Sequence, residues 1–302
     1  MVGMSVRGWV LFAAMSLIWG IPYLLIKVAV EGVSVPVLVL ARTAIGALVL
    51  IPLTLRRQAW APVLAHWKPV VVFAFFEIIA AWLLLSDAER HLSSSLTGLL
   101  IAASPIVAAL LDRLTGGEHR LTPVRLAGLG VGLAGVAALA GPELTGGSAW
   151  SVTEVLMVSV CYAIAPLVAA RYLADVPTLP MTAACLTLAA LVYAAPAAAT
   201  WPDAVPETRV LIAMAALAVI CTATAFLVFF ALIREVGAAR ALVFTYVNPA
   251  VALAAGVLVL AEPLTAWNVA GLALILTGSV LATRRSPAVS PVAPAASAQS
   301  PR

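Results

Sequence analysis

SPIVAALLDRLTGGEHRL at residues 104–121 and NPAVALAAGVLVLAEPLT at residues 248–265 are one phrase written twice, 144 positions apart. In each copy a polar residue precedes a proline (Ser104-Pro105, Asn248-Pro249), an apolar run follows, and a glutamate, Glu118 or Glu262, closes it. Moving outward at the same offset, Pro22, Pro36, Pro52 and Pro62 reappear as Pro166, Pro180, Pro196 and Pro206. Five of the six prolines before position 118 therefore have partners, where chance supplies roughly 0.4. Charge keeps the register, with Lys27 matching Arg171, Glu31 matching Asp175 and Arg90 matching Arg234. The chain is an internal duplication.

Sixty-four per cent of the residues are apolar, 10% are charged and the mean hydropathy is +1.11, values that place the chain in a bilayer and not in water. A hydrocarbon core about 30 Å thick takes about 20 helical residues per crossing. Apolar runs of that length predict spans at roughly 9–28, 36–55, 69–87, 95–113, 123–141, 152–171, 180–200, 209–231, 240–260 and 266–283. The expected fold is all-α, ten transmembrane helices arranged as two inverted five-helix repeats, residues 1–143 and 144–285. Residues 286–302 are mostly Pro, Ala and Ser and are expected to be a disordered tail. Cys161, Cys185 and Cys221 fall inside spans, with neither a disulfide framework nor metal spacing. The first apolar run contains Trp9, Trp19, Pro22 and Tyr23 and lacks a small-residue cleavage site, so it reads as a span and not as a signal peptide.

With the N-terminus in the cytoplasm, most loop and span-end Lys and Arg fall inside, while Lys27, Arg90 and Arg209 fall outside. Both termini are therefore expected in the cytoplasm of a multi-pass cell (inner) membrane protein. Each copy has five spans, an odd number, so the second enters the membrane from the opposite side. Duplicated, antiparallel spanning units suit alternating access, because exchanging the conformations of two similar halves opens one cavity to each face in turn.

Thr122-Pro123 and Thr265 read as N-terminal caps of the fifth and tenth spans. Pro22, Pro105, Pro166 and Pro249 sit inside spans, where each removes a backbone donor and kinks or frees the helix. Unpaired carbonyls in hydrocarbon survive only where protein or a wet cavity satisfies them, so the first, fourth, sixth and ninth spans are expected to line the central path. Gly128, Gly130, Gly132 and Gly135 in the fifth span, with Gly271 and Gly278 in the tenth, mark close helix packing.

Trp19-Gly20 followed by Lys27, Arg42 early in the second span, Pro105 then Glu118, and the glycine-rich helix after it resemble one EamA domain. The second copy, with Asn248-Pro249, Ala261-Glu262-Pro263-Leu264-Thr265, Gly271 and Gly278, resembles another. The likeness to EamA-type members of the drug/metabolite transporter superfamily runs from about residue 9 to 283. It implies a ten-helix secondary transporter of small metabolites such as amino acids, often working outward. Two departures stand out: Cys161-Tyr162 lie where the sixth span often carries a Trp matching Trp19, and the first span lacks the acid that couples drugs to protons in small four-span relatives.

Glu77, in Phe75-Phe76-Glu77-Ile78-Ile79, lies mid-span, where an unpaired carboxylate costs several kcal/mol. It reads as a proton-coupling group or a counter-ion for a substrate amine, against a structural carboxyl hydrogen-bonded between helices. Arg42, about six residues inside its span, is placed to snorkel or to meet an acid. Lys27 reads as an interfacial anchor or an attractor of anions. Trp19, Tyr23, Trp82, Tyr162, Phe226 and Tyr246 are candidates for an amphipathic pocket, with Ser104 and Asn248 as hydrogen-bond donors. Glu118 and Glu262 read as loop or capping acids.

No HExxH, Walker A, GxSxG or paired-carboxylate pattern appears, and His66, His91 and His119 occupy separate loops. No enzyme activity, cofactor or metal is expected, and no basic stripe suggests nucleic acid. The expected partners are a small-molecule substrate, the lipid bilayer and, at most, a second copy in a homodimer. The leading expectation is a secondary transporter exporting a small polar or drug-like metabolite. The alternatives are a nucleotide-sugar or other anionic-metabolite carrier, and a membrane enzyme or accessory subunit.

Overall fold

Helix boundaries in the computed structural model fall where the sequence supplies caps. Thr122 Oγ1 accepts the Arg125 N–H at 3.3 Å and Thr265 Oγ1 accepts that of Asn268 at 3.2 Å, as the sequence requires. Ser5 and Ser93 cap two further helices in the same way, accepting from Gly8 and Leu96. The structure describes residues 4–55, 60–114, 122–145 and 148–283, and every regular element among them is helical. Glu118, His119, Arg56, Arg57, Arg120, Arg284, Arg285 and the tail 286–302 lie outside the described residues.

The long helices are α1 (Val6–Ala29), α2 (Val35–Leu55), α3 (Trp67–Ala88), α4 (Ser94–Leu111), α5 (Pro123–Thr145), α6 (Ala149–Tyr172), α7 (Thr178–Ala199) and α8 (Thr208–Val236). These eight are long and apolar enough to cross a membrane. Two shorter apolar helices follow, α9 (Asn248–Val259) and α10 (Ala266–Thr283). Among the described residues, eight of the ten expected spans thus reach full length, and the ninth is shorter for a visible physical reason. Its apolar stretch starts as a single turn, Ala238–Ala241, tightens to 3₁₀ over Leu242–Tyr246 and becomes α-helical only from Asn248.

Three of the five helix pairs matched by the 144-residue offset, α5 with α10, α2 with α7 and α4 with α9, pack on each other and run antiparallel. Along α5 and α10, Gly128 meets Leu281 and Ala282, Gly132 meets Gly278, Gly135 meets Ile275, and Leu139 meets Gly271. A Cβ on Gly278 would strike the backbone of Gly132 and Gly128, so only glycine permits this approach. Between α2 and α7, the Ser34 and Thr200 hydroxyls lie 2.7 Å apart while Gly46 meets Leu186. Between α4 and α9, Gly98 meets Ala252 and Gly256 meets Ser95. The remaining pairs cross the halves as well: α1 lies on α8, tied by Glu31–Arg209 at 3.1 Å at one end and Ser5–Glu235 at the other, and α3 lies on α6. The largest apolar core accordingly mixes both halves, joining Ile26, Leu38 and Ile78 to Cys185, Leu186 and Leu217. Leu48, Leu191 and Leu258 are more than two-thirds exposed on the outside, as a lipid-facing surface demands.

The duplication reaches a finer level than composition. Phe75–Ala80 in α3 and Val219–Thr224 in α8 are both π-helical, at the same 144-residue offset. Each widened turn has a carbonyl held by an aromatic donor from the opposite half. Trp19 Nε1 donates to the Cys221 carbonyl at 3.3 Å and the Tyr193 hydroxyl donates to that of Ile79 at 2.7 Å.

Candidate functional site

Three of the four marked prolines follow interruptions in the helical ladder. α1 breaks over Trp19–Ile21 before Pro22, α4 over Ala102–Ala103 before Pro105, and the ninth stretch at Val247 before Pro249. Pro166 lies within α6, which runs unbroken from Ala149 to Tyr172, because a proline removes one hydrogen bond and the ladder on either side continues. The matched polar residues before two of these prolines serve the breaks. Ser104 Oγ donates to the Ile101 carbonyl at 2.7 Å. The Asn248 amide, oriented with its nitrogen inward, donates to the carbonyls of Phe244 at 3.1 Å and Ser16 at 3.2 Å. Both are committed to backbone, and Tyr246 sits in the 3₁₀ stretch beside them.

Around the break in α1 and the two π segments, six elements bring polar and aromatic groups together. The centre is Arg42 on α2, 7% exposed. Its Nε donates to Thr222 Oγ1 at 2.8 Å, and Thr222 in turn donates to the Leu217 carbonyl at 2.9 Å inside the α8 π segment. The guanidinium carbon lies 3.6 Å from the Trp82 ring centroid, a cation–π contact in a dry setting. Arg42 neither snorkels nor meets an acid, as the sequence had suggested: no carboxylate lies within ion-pair distance of it among the described residues. The reason is placement, since the α2 face that carries Arg42 turns to the seam with α8 and not to the membrane surface.

Tyr162 on α6 stands beside Trp82 and within electrostatic reach of Arg42, Tyr23 and Glu77. Glu77 lies in the α3 π segment, half-buried, with Cys161 and Cys185 as further neighbours. It makes no hydrogen bond or ion pair with another described residue, so the alternative of a carboxyl bonded between helices is not what the structure shows. Trp19 packs on Phe226, Phe229 and Phe244 at ring separations of 5.8, 5.1 and 5.5 Å, forming an aromatic floor. Lys27 stands apart from this group. Its ammonium donates to the backbone carbonyls of Glu89 and Leu92, each at 2.7 Å, and staples the turn between α3 and α4.

Two residues escaped the sequence reading, and a third does more than it implied. Thr222 carried no signal, because its role depends on a π turn that leaves no mark in composition. Glu89 stands at the C-terminal cap of α3, where acids are ordinary, yet it is fully buried. Glu262 is a capping acid, as the sequence suggests, and the helix it caps belongs to the other half: its carboxylate accepts the Ser94 and Ser95 N–H groups at 2.8 and 2.9 Å at the start of α4. Ala261, left-handed at φ 53°, aims it there at a cost of roughly 1 kcal/mol. Near the same end of the bundle an open vestibule of about 560 Å³ is lined by Glu31, Ser34, Asp87, Arg90 and Thr200.

The EamA-like transporter family matches this sequence twice, over residues 6–141 and 149–284. The "Uncharacterized inner membrane transporter YedA" of Escherichia coli K12 is 27% identical over 276 residues, covering 89% of this chain and 88% of its own. An "Uncharacterized transporter" of Archaeoglobus fulgidus is 24% identical, covering 92% and 99%, and the "Uncharacterized transporter YvbV" of Bacillus subtilis is 27% identical, covering 93% of each. A solved crystal structure aligns with a TM-score of 0.65 at 23% identity, over 91% of this chain and 96% of that one, and shows a shared fold.

Proposed function

The chain belongs to the EamA-like transporter family, and from that premise we propose that it is a secondary active exporter of small zwitterionic metabolites resembling amino acids. The observation that carries this reading is Arg42, a buried cation with no carboxylate within ion-pair distance among the described residues. A buried charge is costly unless something neutralises it, and a substrate carboxylate is a planar anion suited to the guanidinium fork. Glu77, beyond Tyr162, is the complementary partner for a substrate ammonium. Trp19, Tyr23 and Phe226 enclose the remaining surface.

The antiparallel packing of matched helices supports ten crossings in two inverted halves, residues 1–143 and 144–285, around a seam where the substrate is held near mid-membrane. The E. coli relative, named as an inner membrane transporter, favours a bacterial inner membrane, and the distribution of Lys and Arg favours cytoplasmic termini. Transport runs on a gradient or on exchange. An anionic-metabolite carrier is the second reading, and Arg42 favours it. Lys27, the other cation it would use, is spent on backbone carbonyls.

The test is competition for labelled amino-acid exchange in liposomes. Free amino acids compete, while carboxyl-amidated and N-acylated derivatives do not. Arg42→Lys, which keeps charge but loses the planar fork and its ring contact, weakens binding by at least about tenfold. Equal competition by amidated derivatives overturns the zwitterion reading.

A further inference from the structure

Glu89 ends α3 one residue beyond the span, in the turn that leads to α4. Its relative exposure is 0%, and neither carboxyl oxygen has a hydrogen-bond partner among the described residues. That is an unusual condition for an acid. A buried carboxylate without partners is disfavoured by several kcal/mol, whereas the neutral acid is tolerated. The groups that act on Glu89 come from several elements. On α1, Tyr23 and Lys27 lie one turn apart on a common face. Lys27 is bound to the backbone carbonyl of Glu89 itself and to that of Leu92. Tyr23 packs against Gly98 of α4 and senses the Glu89 charge. Arg42 of α2 acts from farther in, and Glu262, arriving from the loop between α9 and α10, brings a second negative charge to the start of α4. On its own helix Asp87 pairs with Arg90 at 3.3 Å and faces the vestibule.

We propose that Glu89 is the proton-binding site of the transport cycle, a role distinct from that of Glu77, which is reserved for the substrate ammonium. In the arrangement seen here the side chain is a neutral carboxylic acid: a proton from hydronium bonds to one carboxylate oxygen and water is released. The buried setting holds the group well above the ordinary carboxylate range, against the pull of Lys27 and with Glu262 adding to the rise. The proton leaves when the α3–α4 turn moves and water reaches the side chain. Lys27 makes that movement discrete, because its ammonium grips both carbonyls of the turn or neither. Glu262 ties the start of α4 to the second half, so rearrangement of the halves acts directly on the turn that buries Glu89.

This inference rests on the transporter reading, and the experiment separates the two. The full chain is purified into lipid nanodiscs and its infrared spectrum recorded at neutral pH without substrate. Wild type minus Glu89→Gln shows the carbonyl stretch of a protonated acid free of hydrogen bonds, at the high-frequency end of that band. Glu77→Gln does not remove it. In liposomes, an imposed pH gradient drives labelled amino acid to accumulate in wild type, and this driven accumulation is lost in Glu89→Gln. A missing band, a band assigned to Glu77, or Glu89→Gln accumulating as wild type does overturns the proposal. A wild type that shows the band but moves no amino acid overturns the transporter reading while supporting Glu89 as a proton site.

Discussion

Glu262 shows how one side chain ties two halves together. Its carboxylate takes two orphan N–H groups at the start of α4 and the Ser94 hydroxyl, with distances of 2.8 to 2.9 Å. Burial alone would raise its pKa, but the hydrogen bonds from Ser95 and Ser94 outweigh it and hold the group below the usual carboxylate range. The sign follows: this stabilisation is fully present above the unfolded-state value and is lost only as pH falls through the lowered folded-state value. Glu262→Ala should cost about 1 kcal/mol, the lower part of the capping range because the group is half reached by solvent. The check is a thermal melt in detergent at neutral pH and again in acid, where the gap between variant and wild type should close. Residues of this kind were only partly legible. The sequence marks Glu77 and Arg42 by their depth in apolar runs, but Glu89 sits where hydropathy expects charge, and the groups that act on it, Tyr23, Lys27 and Glu262, are all far away in the chain.

Among the helices, what was legible is what leaves a trace in residue type. Prolines, glycines and caps disclosed the duplication, the α5–α10 contact and the starts of both those helices. The π segments left none: Phe75-Phe76-Glu77-Ile78-Ile79-Ala80 and Val219-Ile220-Cys221-Thr222-Ala223-Thr224 are identical at no matched position, yet they hold the same conformation. The conformation is held instead by partners across the seam, Tyr193 for one and Trp19 for the other. The glycine contact gives a direct test at this scale. Gly278→Val places a branched side chain against the Gly132 backbone, which cannot yield as a flexible side chain would. Overpacking of that kind costs typically about 1–3 kcal/mol, so a lowered melting temperature is expected. Gly130→Val is the control: a Cβ there meets nothing within 4 Å, and the melt should be unchanged.

For the whole molecule, the telling feature is that α1 is broken before Pro22 while α6, its equivalent, passes Pro166 intact. A machine that works by letting its halves trade shapes needs α6 to part where α1 now does. Pro166 is a scored line for that event, since residue 166 has no N–H to give up and parting there sacrifices less bonding than elsewhere along the helix. Pro166→Ala should therefore leave substrate affinity and thermal stability intact, or raise the latter, while slowing turnover in exchange. Unaltered turnover would show that α6 never parts. Under the proposed alternating access, two unequal halves would make two unequal endpoints: the molecule would have a resting side, and the free-energy gap between its endpoints would bias which face it opens to when no gradient acts.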